Sequence, residues 1–128
     1  MKISKVSITK VFTFDCAHSL IDYPGKCKNI HGHTYKLEVT LKGMLDKNGL
    51  VIDFHDLNDL VENEILAQID HKYLNDILDF NPTCEMLGLW IWNQIAKKIK
   101  DMECNLEKLV LWETPTSYIT IDAKDMNE

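Results

Sequence analysis

His31-Gly32-His33-Thr34-Tyr35-Lys36-Leu37-Glu38-Val39-Thr40-Leu41-Lys42 reads as one strand. From Tyr35 onward the odd positions are apolar and the even ones polar, the two-residue period of a strand with one face on a core. His31 and His33 share the odd phase. If the strand reaches back that far, both imidazoles face inward at the edge of the core, and Gly32 adds no bulk between them. Just upstream lies Lys26-Cys27-Lys28, so a thiol, two imidazoles and two ammonium groups fall within eight residues. Converging imidazoles suit zinc, which takes nitrogen ligands at about 2.0–2.1 Å in a tetrahedral arrangement. On its own, His-x-His is equally a polar turn entering a strand. Cys27, four residues before His31, and His18, which offers a third nitrogen, favour the metal.

Working outward, residues 5–16 form a second strand: Val6, Ile8, Phe12, Phe14 and Cys16 occupy even positions, with Val11 a minor break. His18 continues that phase and leaves the strand on its apolar side. Pro24-Gly25 marks a turn before the histidines. Beyond the quoted strand, Asp46-Lys47-Asn48-Gly49 is a strong turn, leading into a short strand Leu50-Val51-Ile52. Asp53 is placed to cap a helix carrying Phe54, Leu57, Val61 and Ile65 at helical spacing. Asn81-Pro82-Thr83-Cys84-Glu85 opens a second helix, capped by Thr83 or Asn81, with Leu87, Ile91, Ile95 and Ile99 as its core stripe. Leu109–Glu113 and Tyr118–Ile121 read as the last two strands. The pattern predicts an α+β fold, an antiparallel sheet with both helices on one face.

Two acidic positions stand out. Asp70 beside His71 is either a solvated loop pair or the minimal proton-handling pair, because a carboxylate can orient a nearby imidazole. Glu113 shares the phase of Leu109 and Leu111, so its carboxylate faces inward, which is costly without a partner. A ligand with paired N–H donors, a lysine or a buried water would satisfy it. Glu85, by contrast, suits a helix N-terminus.

Composition narrows the class. The chain has 128 residues, the size of one domain spanning 1–128, and 45% are apolar, enough for a core. A net charge of −6 and a pI of about 5.3 speak against a nucleic-acid surface. No apolar run approaches the roughly 20 residues of a membrane helix, and no signal peptide is evident, so a soluble cytoplasmic protein is expected. The four cysteines, Cys16, Cys27, Cys84 and Cys104, then read as reduced thiols.

Taken in order, Phe14-Asp15-Cys16-Ala17-His18, Gly25-Lys26-Cys27, His31-Gly32-His33, Asp70-His71, Asn81-Pro82-Thr83-Cys84-Glu85 and Trp112-Glu113-Thr114 resemble the motifs of the 6-pyruvoyltetrahydropterin synthase superfamily. The similarity is closest to its bacterial 6-carboxytetrahydropterin synthases of queuosine biosynthesis, because three residues separate Cys27 from His31. The resemblance implies a tunnelling fold, here a four-stranded sheet with two helices, assembled through barrels into a homohexamer (a dimer of trimers). It implies Zn2+ held by His18, His31 and His33. Cys27 matches the catalytic thiol, and Asp70 with His71 its proton-relay pair, the groups meeting across a subunit boundary. Glu113 matches the carboxylate that anchors the pterin ring. Thr83 and Glu85 lie in the motif lining that pocket, and Lys26 or Lys28 is assigned to the phosphates.

The implied reaction is that of a carbon–carbon lyase. It converts 7,8-dihydroneopterin triphosphate to 6-carboxy-5,6,7,8-tetrahydropterin with release of acetaldehyde and triphosphate. The alternatives are a 6-pyruvoyltetrahydropterin synthase, which eliminates triphosphate without carbon–carbon cleavage, and a non-enzymatic pterin- or metal-binding protein on the same fold. The proton movements of the lead reaction amount to an internal redox, and the chain carries no Gly-x-Gly-x-x-Gly dinucleotide fingerprint.

Overall fold

Four long strands carry the core, and their pairing places the histidines. The computed structural model describes residues 4–25 and 28–126. Lys26 and Cys27 therefore lie outside the described residues. The first strand, β1 (Lys5–His18), pairs antiparallel along its whole length with β2 (His31–Met44). The register sets Phe12 opposite Leu37, Phe14 opposite Tyr35, Cys16 opposite His33, and His18 opposite His31. Directly opposed residues share a sheet face, so the inward phases of the two strands coincide over the full ladder. The second strand does reach back to the histidines, which the alternation from Tyr35 left conditional, and the first runs two residues beyond Cys16.

β3 (Lys72–Tyr73), β4 (Cys104–Thr114) and β5 (Ser117–Asp122) complete a sheet of order β3-β1-β2-β4-β5. The sheet thus has five strands, not four. The fifth is β3, which pairs parallel with Cys16 and Ala17 on the outer edge of β1. Leu50–Ile52, read from the sequence as a short strand, is instead a bend. The Asp46 amide and carboxylate close the preceding turn on Leu50, with Gly49 at φ 81°. Val51 and Ile52 are apolar because they pack half-buried against the core, not because they pair.

β4 begins at Cys104, earlier than its apolar alternation suggests. Its core-cluster residues switch from even (Cys104, Leu106) to odd (Leu109, Leu111) across a bulge at Glu107, which has no partner in the ladder with β2. The phase flip hides the first half of the strand from a period-two reading. Downstream of the bulge the odd phase carries Glu113 toward the core side, as expected.

Two long helices cover the inward face. In α1 (Phe54–Glu64) the Asp53 carboxylate accepts from the His55 amide, and Leu57 and Val61 are buried, while Phe54 is half-exposed. A single turn, α2 (Leu74–Ile77), follows β3. In α3 (Cys84–Ile99) the Thr83 hydroxyl oxygen accepts from the Met86 amide, and Leu87, Ile91, Ile95 and Ile99 are all buried. These side chains form one cluster with Phe12, Phe14, Tyr35, Leu37, Val39, Leu41, Leu109 and Leu111. The other sheet face is polar and open, with Thr9, Thr13 and Asp15 of β1 beside Thr34 and Lys36 of β2. No helix among the described residues is long and apolar enough to cross a membrane.

β4 approaches β2 tightly at Gly43. A Cβ there would sit 2.9 Å from the Glu103 carbonyl oxygen and 3.2 Å from the Cys104 Cα, both main-chain atoms that cannot turn aside. Gly43→Ala is expected to lower stability by about 1–3 kcal/mol, the usual penalty of overpacking. Chemical denaturation of the two proteins checks it; equal midpoints would mean that the strands can part without penalty.

Candidate active site

The core face of the sheet ends in imidazoles. His18 closes β1 and is 1% exposed; His31 and His33 open β2 and are half-buried. The three rings pack mutually edge-on, with centroids 4.5, 4.9 and 5.1 Å apart. One nitrogen from each lies within 4.8 Å of the others. Nitrogens sharing a tetrahedral zinc at 2.0–2.1 Å lie roughly 3.3 Å apart, so small ring rotations would seat the ion.

Hydrogen bonding settles which nitrogens face the centre. His18 Nδ1 donates to the Pro82 carbonyl at 2.7 Å, and His31 Nδ1 donates to the Asn29 carbonyl at 2.8 Å. In a neutral imidazole the other nitrogen then carries the lone pair. The Nε2 atoms of His18 and His31 face each other at 2.9 Å. Two lone pairs at that separation repel unless a cation lies between them. His33 Nε2 is buried with no hydrogen-bond partner among the described residues. Its pKa is lowered, first by burial and further by the His18 and His31 imidazoles, against an opposing pull from Glu113. A neutral ring is the form that ligates a metal. The donor set therefore fits a divalent ion, and the anchoring carbonyls fix the tautomers as metal-ligating histidines require.

Glu113 reaches the same place from β4. Its carboxylate oxygens lie 3.9 Å from His18 Nε2 and 3.9 Å from His33 Nε2, beyond hydrogen-bond range. The inward carboxylate inferred from strand phase thus borders the triad. Tyr35 stacks on Phe14 at 5.1 Å and meets the His33 ring edge-on at 5.7 Å.

A second cluster occupies the rim of the open face, in the opposite pleat phase. His71 Nδ1 lies 2.9 Å from Asp70 Oδ1, so the Asp-His pair is in contact. His71 adopts φ 61°, a left-handed conformation uncommon outside glycine. Its amide holds that turn by donating to the Asp15 carbonyl at 2.6 Å. A cavity of about 300 Å³ is lined by Asp15, Cys16, Gly32, His33, Thr34 and His71, so it touches both clusters.

Other predicted residues are placed differently. Thr83 caps α3, and Glu85 is exposed in its first turn. Lys28 is exposed, and Lys26 and Cys27 fall outside the described residues. The remaining cysteines are free and buried. Burial pushes the Cys16 thiol up to about 12, with the Asp70 and Asp15 carboxylates adding to it. Cys84 rises to about 12 through burial and the Glu113 and Glu85 carboxylates, and burial also raises Cys104. All three stay protonated near neutral pH and are poor bases.

Residues that side-chain motifs missed are the orienters. Pro82 and Asn29 act through carbonyls, which every residue has, so no sequence signal marks them. Asp15 was quoted only as part of a motif, although its polar side chain in the outward phase was a visible cue.

The family model of 6-pyruvoyl tetrahydropterin synthase matches residues 7–124. The chain belongs to that family. It is 36% identical to the 6-carboxy-5,6,7,8-tetrahydropterin synthase of Haemophilus influenzae, over 87% of this chain and 94% of the relative. It is 39% identical to the dihydroneopterin monophosphate aldolase of Pyrococcus furiosus, over 79% and 83% respectively. The solved structure of Caenorhabditis elegans 6-pyruvoyl tetrahydropterin synthase superposes with a TM-score of 0.84 at 25% identity, covering 96% of this chain and 99% of that one. The architecture is the tunnelling fold, and the chain is an enzyme of the pterin synthase family with lyase-type chemistry.

Proposed function

We propose that this family member is a zinc-dependent 6-carboxy-5,6,7,8-tetrahydropterin synthase. It would take 7,8-dihydroneopterin triphosphate and water to 6-carboxy-5,6,7,8-tetrahydropterin, acetaldehyde and triphosphate. The observation that carries the reading is the convergence of three imidazole nitrogens beside Glu113. The H. influenzae relative, matched over nearly its whole length, supports the choice of product.

His18, His31 and His33 are the residues that would hold Zn2+. Three neutral ligands would leave its double charge intact, and the ion would supply Lewis acidity toward a substrate oxygen. The Glu113 carboxylate accepts from the amino and ring N–H edge of the pterin, a two-point contact that orients the ring and offsets the cost of an inward anion. Thr83 and Glu85, at the start of α3, are assigned to the same pocket by the family motif they lie in, and Lys26 to the phosphates. Cys27 takes a proton from the side-chain carbon as thiolate, a role that buried Cys16, Cys84 and Cys104 are unsuited to. Asp70 orients His71 through Nδ1, leaving Nε2 to carry a proton between substrate atoms.

The open sheet edges at β3 and β5 suit pairing with neighbouring chains, and we assign the protein to a homohexamer, a dimer of trimers, with the relay pair reaching a neighbour's metal site. Residues 1–128 act as one catalytic domain in cytoplasmic queuosine synthesis.

The test is a product analysis of zinc-loaded protein with 7,8-dihydroneopterin triphosphate. Acetaldehyde and the 6-carboxy product in equal amounts are expected. A 6-pyruvoyl product without acetaldehyde would replace this reading with triphosphate elimination alone. The P. furiosus relative favours a second reading, aldol cleavage of the monophosphate. Faster turnover of dihydroneopterin monophosphate than of the triphosphate would select it.

A further inference from the structure

We propose that Asp15 is a positioning residue of the proton relay, facing His71 Nε2 while Asp70 holds Nδ1. This rests on the reading of Asp70 and His71 as the relay pair, and extends it to a residue on another strand. Asp70 Oδ1 accepts a hydrogen bond from the Asp15 amide at 3.0 Å and lies in ion-pair contact with His71 Nδ1 at 2.9 Å. The His71 amide returns the contact by donating to the Asp15 carbonyl. Asp15 is thus bound through its own main chain to both members of the pair. Its side chain is fixed as well: Thr34, directly opposite on β2, donates its hydroxyl to Asp15 Oδ1. That leaves Oδ2 turned toward His71 Nε2 at 3.9 Å.

The separation decides the role. A carboxylate at hydrogen-bond distance would occupy Nε2 and keep it from substrate. At 3.9 Å it attracts a charged ring through space and leaves the nitrogen free. When His71 accepts a substrate proton at Nε2, the imidazolium has one N–H on Asp70 and the other facing Asp15. When it gives the proton back, the ring returns to neutral, and no electrons move in either direction. Asp15 faces that charge and holds the ring's angle.

The test uses the full-length zinc-loaded enzyme in a double-mutant cycle of Asp15→Asn and His71→Gln, with kcat, KM, zinc content and melting temperature measured for each. Asp15→Asn keeps an oxygen for Thr34 and removes only the charge. It is expected to lower kcat on the order of tenfold, with KM and zinc content changed less than about twofold. In the His71→Gln background it should cost nothing further, because Asp15 acts through His71. Asp15→Glu, which restores the charge, should recover most of the turnover. An equal loss from Asp15→Asn in both backgrounds, or one that follows the melting temperature, would make Asp15 a strand-holding residue and overturn the proposal. Full turnover in Asp15→Asn with slow His71→Gln would leave the relay standing and Asp15 outside it. Full turnover in His71→Gln would remove the relay reading, and this inference with it.

Discussion

His18→Ala is expected to bind less than a tenth as much zinc as the parent (roughly, at equal total metal) and to lose at least about a hundredfold in turnover. Of the three imidazoles His18 is the most enclosed, at 1% exposure, and its Nδ1–H is committed to the Pro82 carbonyl at 2.7 Å. The ring therefore arrives at the centre in one tautomer and one orientation, with its Nε2 lone pair already aimed. Alanine removes the ligand and also strands a carbonyl, which by itself costs about 1–3 kcal/mol when the group is buried. Metal analysis after exhaustive dialysis, together with a circular dichroism melt, separates these effects. A folded His18→Ala that still carries one equivalent of zinc would dissolve the three-histidine site. His55→Ala is the matched control, since His55 is 96% exposed in the first turn of α1 and remote in sequence from the triad. It should keep its zinc.

Side-chain periodicity made much of this site legible, and the physics shows why. A strand's faces are written in alternate residues, so His31, His33 and Glu113 were placed inward by the neighbours they share a phase with. His18 followed from the even phase of Phe12, Phe14 and Cys16. Main-chain features left no such trace. β3 is two residues long and pairs through backbone atoms, so no alternation announces it. Glu107 adds a residue to β4 and inverts the alternation there, which concealed Cys104 and Leu106 as strand residues. Adjacent side chains ordinarily point apart, so Asp70-His71 could not be joined from sequence. The left-handed backbone at His71 turns them together, and it exists because the Asp15 carbonyl accepts that amide. The apolar run Leu50–Ile52 misled for the converse reason, Val51 and Ile52 packing half-buried against the core without any strand pairing.

Cys27→Ala should retain a full equivalent of zinc and lose turnover by about 10²- to 10⁴-fold, the usual worth of a general base. The prediction rests on chemistry and elimination. A thiol serves as a base only when its thiolate is accessible near working pH, and a free thiol at about 8.5 needs only modest help from a nearby cation. Cys16, Cys84 and Cys104 have the opposite surroundings, buried at 5–7% exposure with their thiols pushed up. None can stand in when Cys27 is removed. Cys27 is flanked by Lys26 and Lys28 and lies four residues from His31, a metal ligand in our reading. Cys27→Ser is expected to be nearly as slow, because a hydroxyl is a far weaker acid than a thiol and stays protonated. Cys104→Ala, at the far end of β4 from Glu113, should turn over normally per folded molecule. Metal content and kcat measured on the same samples decide between two accounts. Lost turnover with zinc retained assigns the proton transfer to Cys27, whereas unchanged turnover would shift the base to His71 and leave Cys27 without a chemical role.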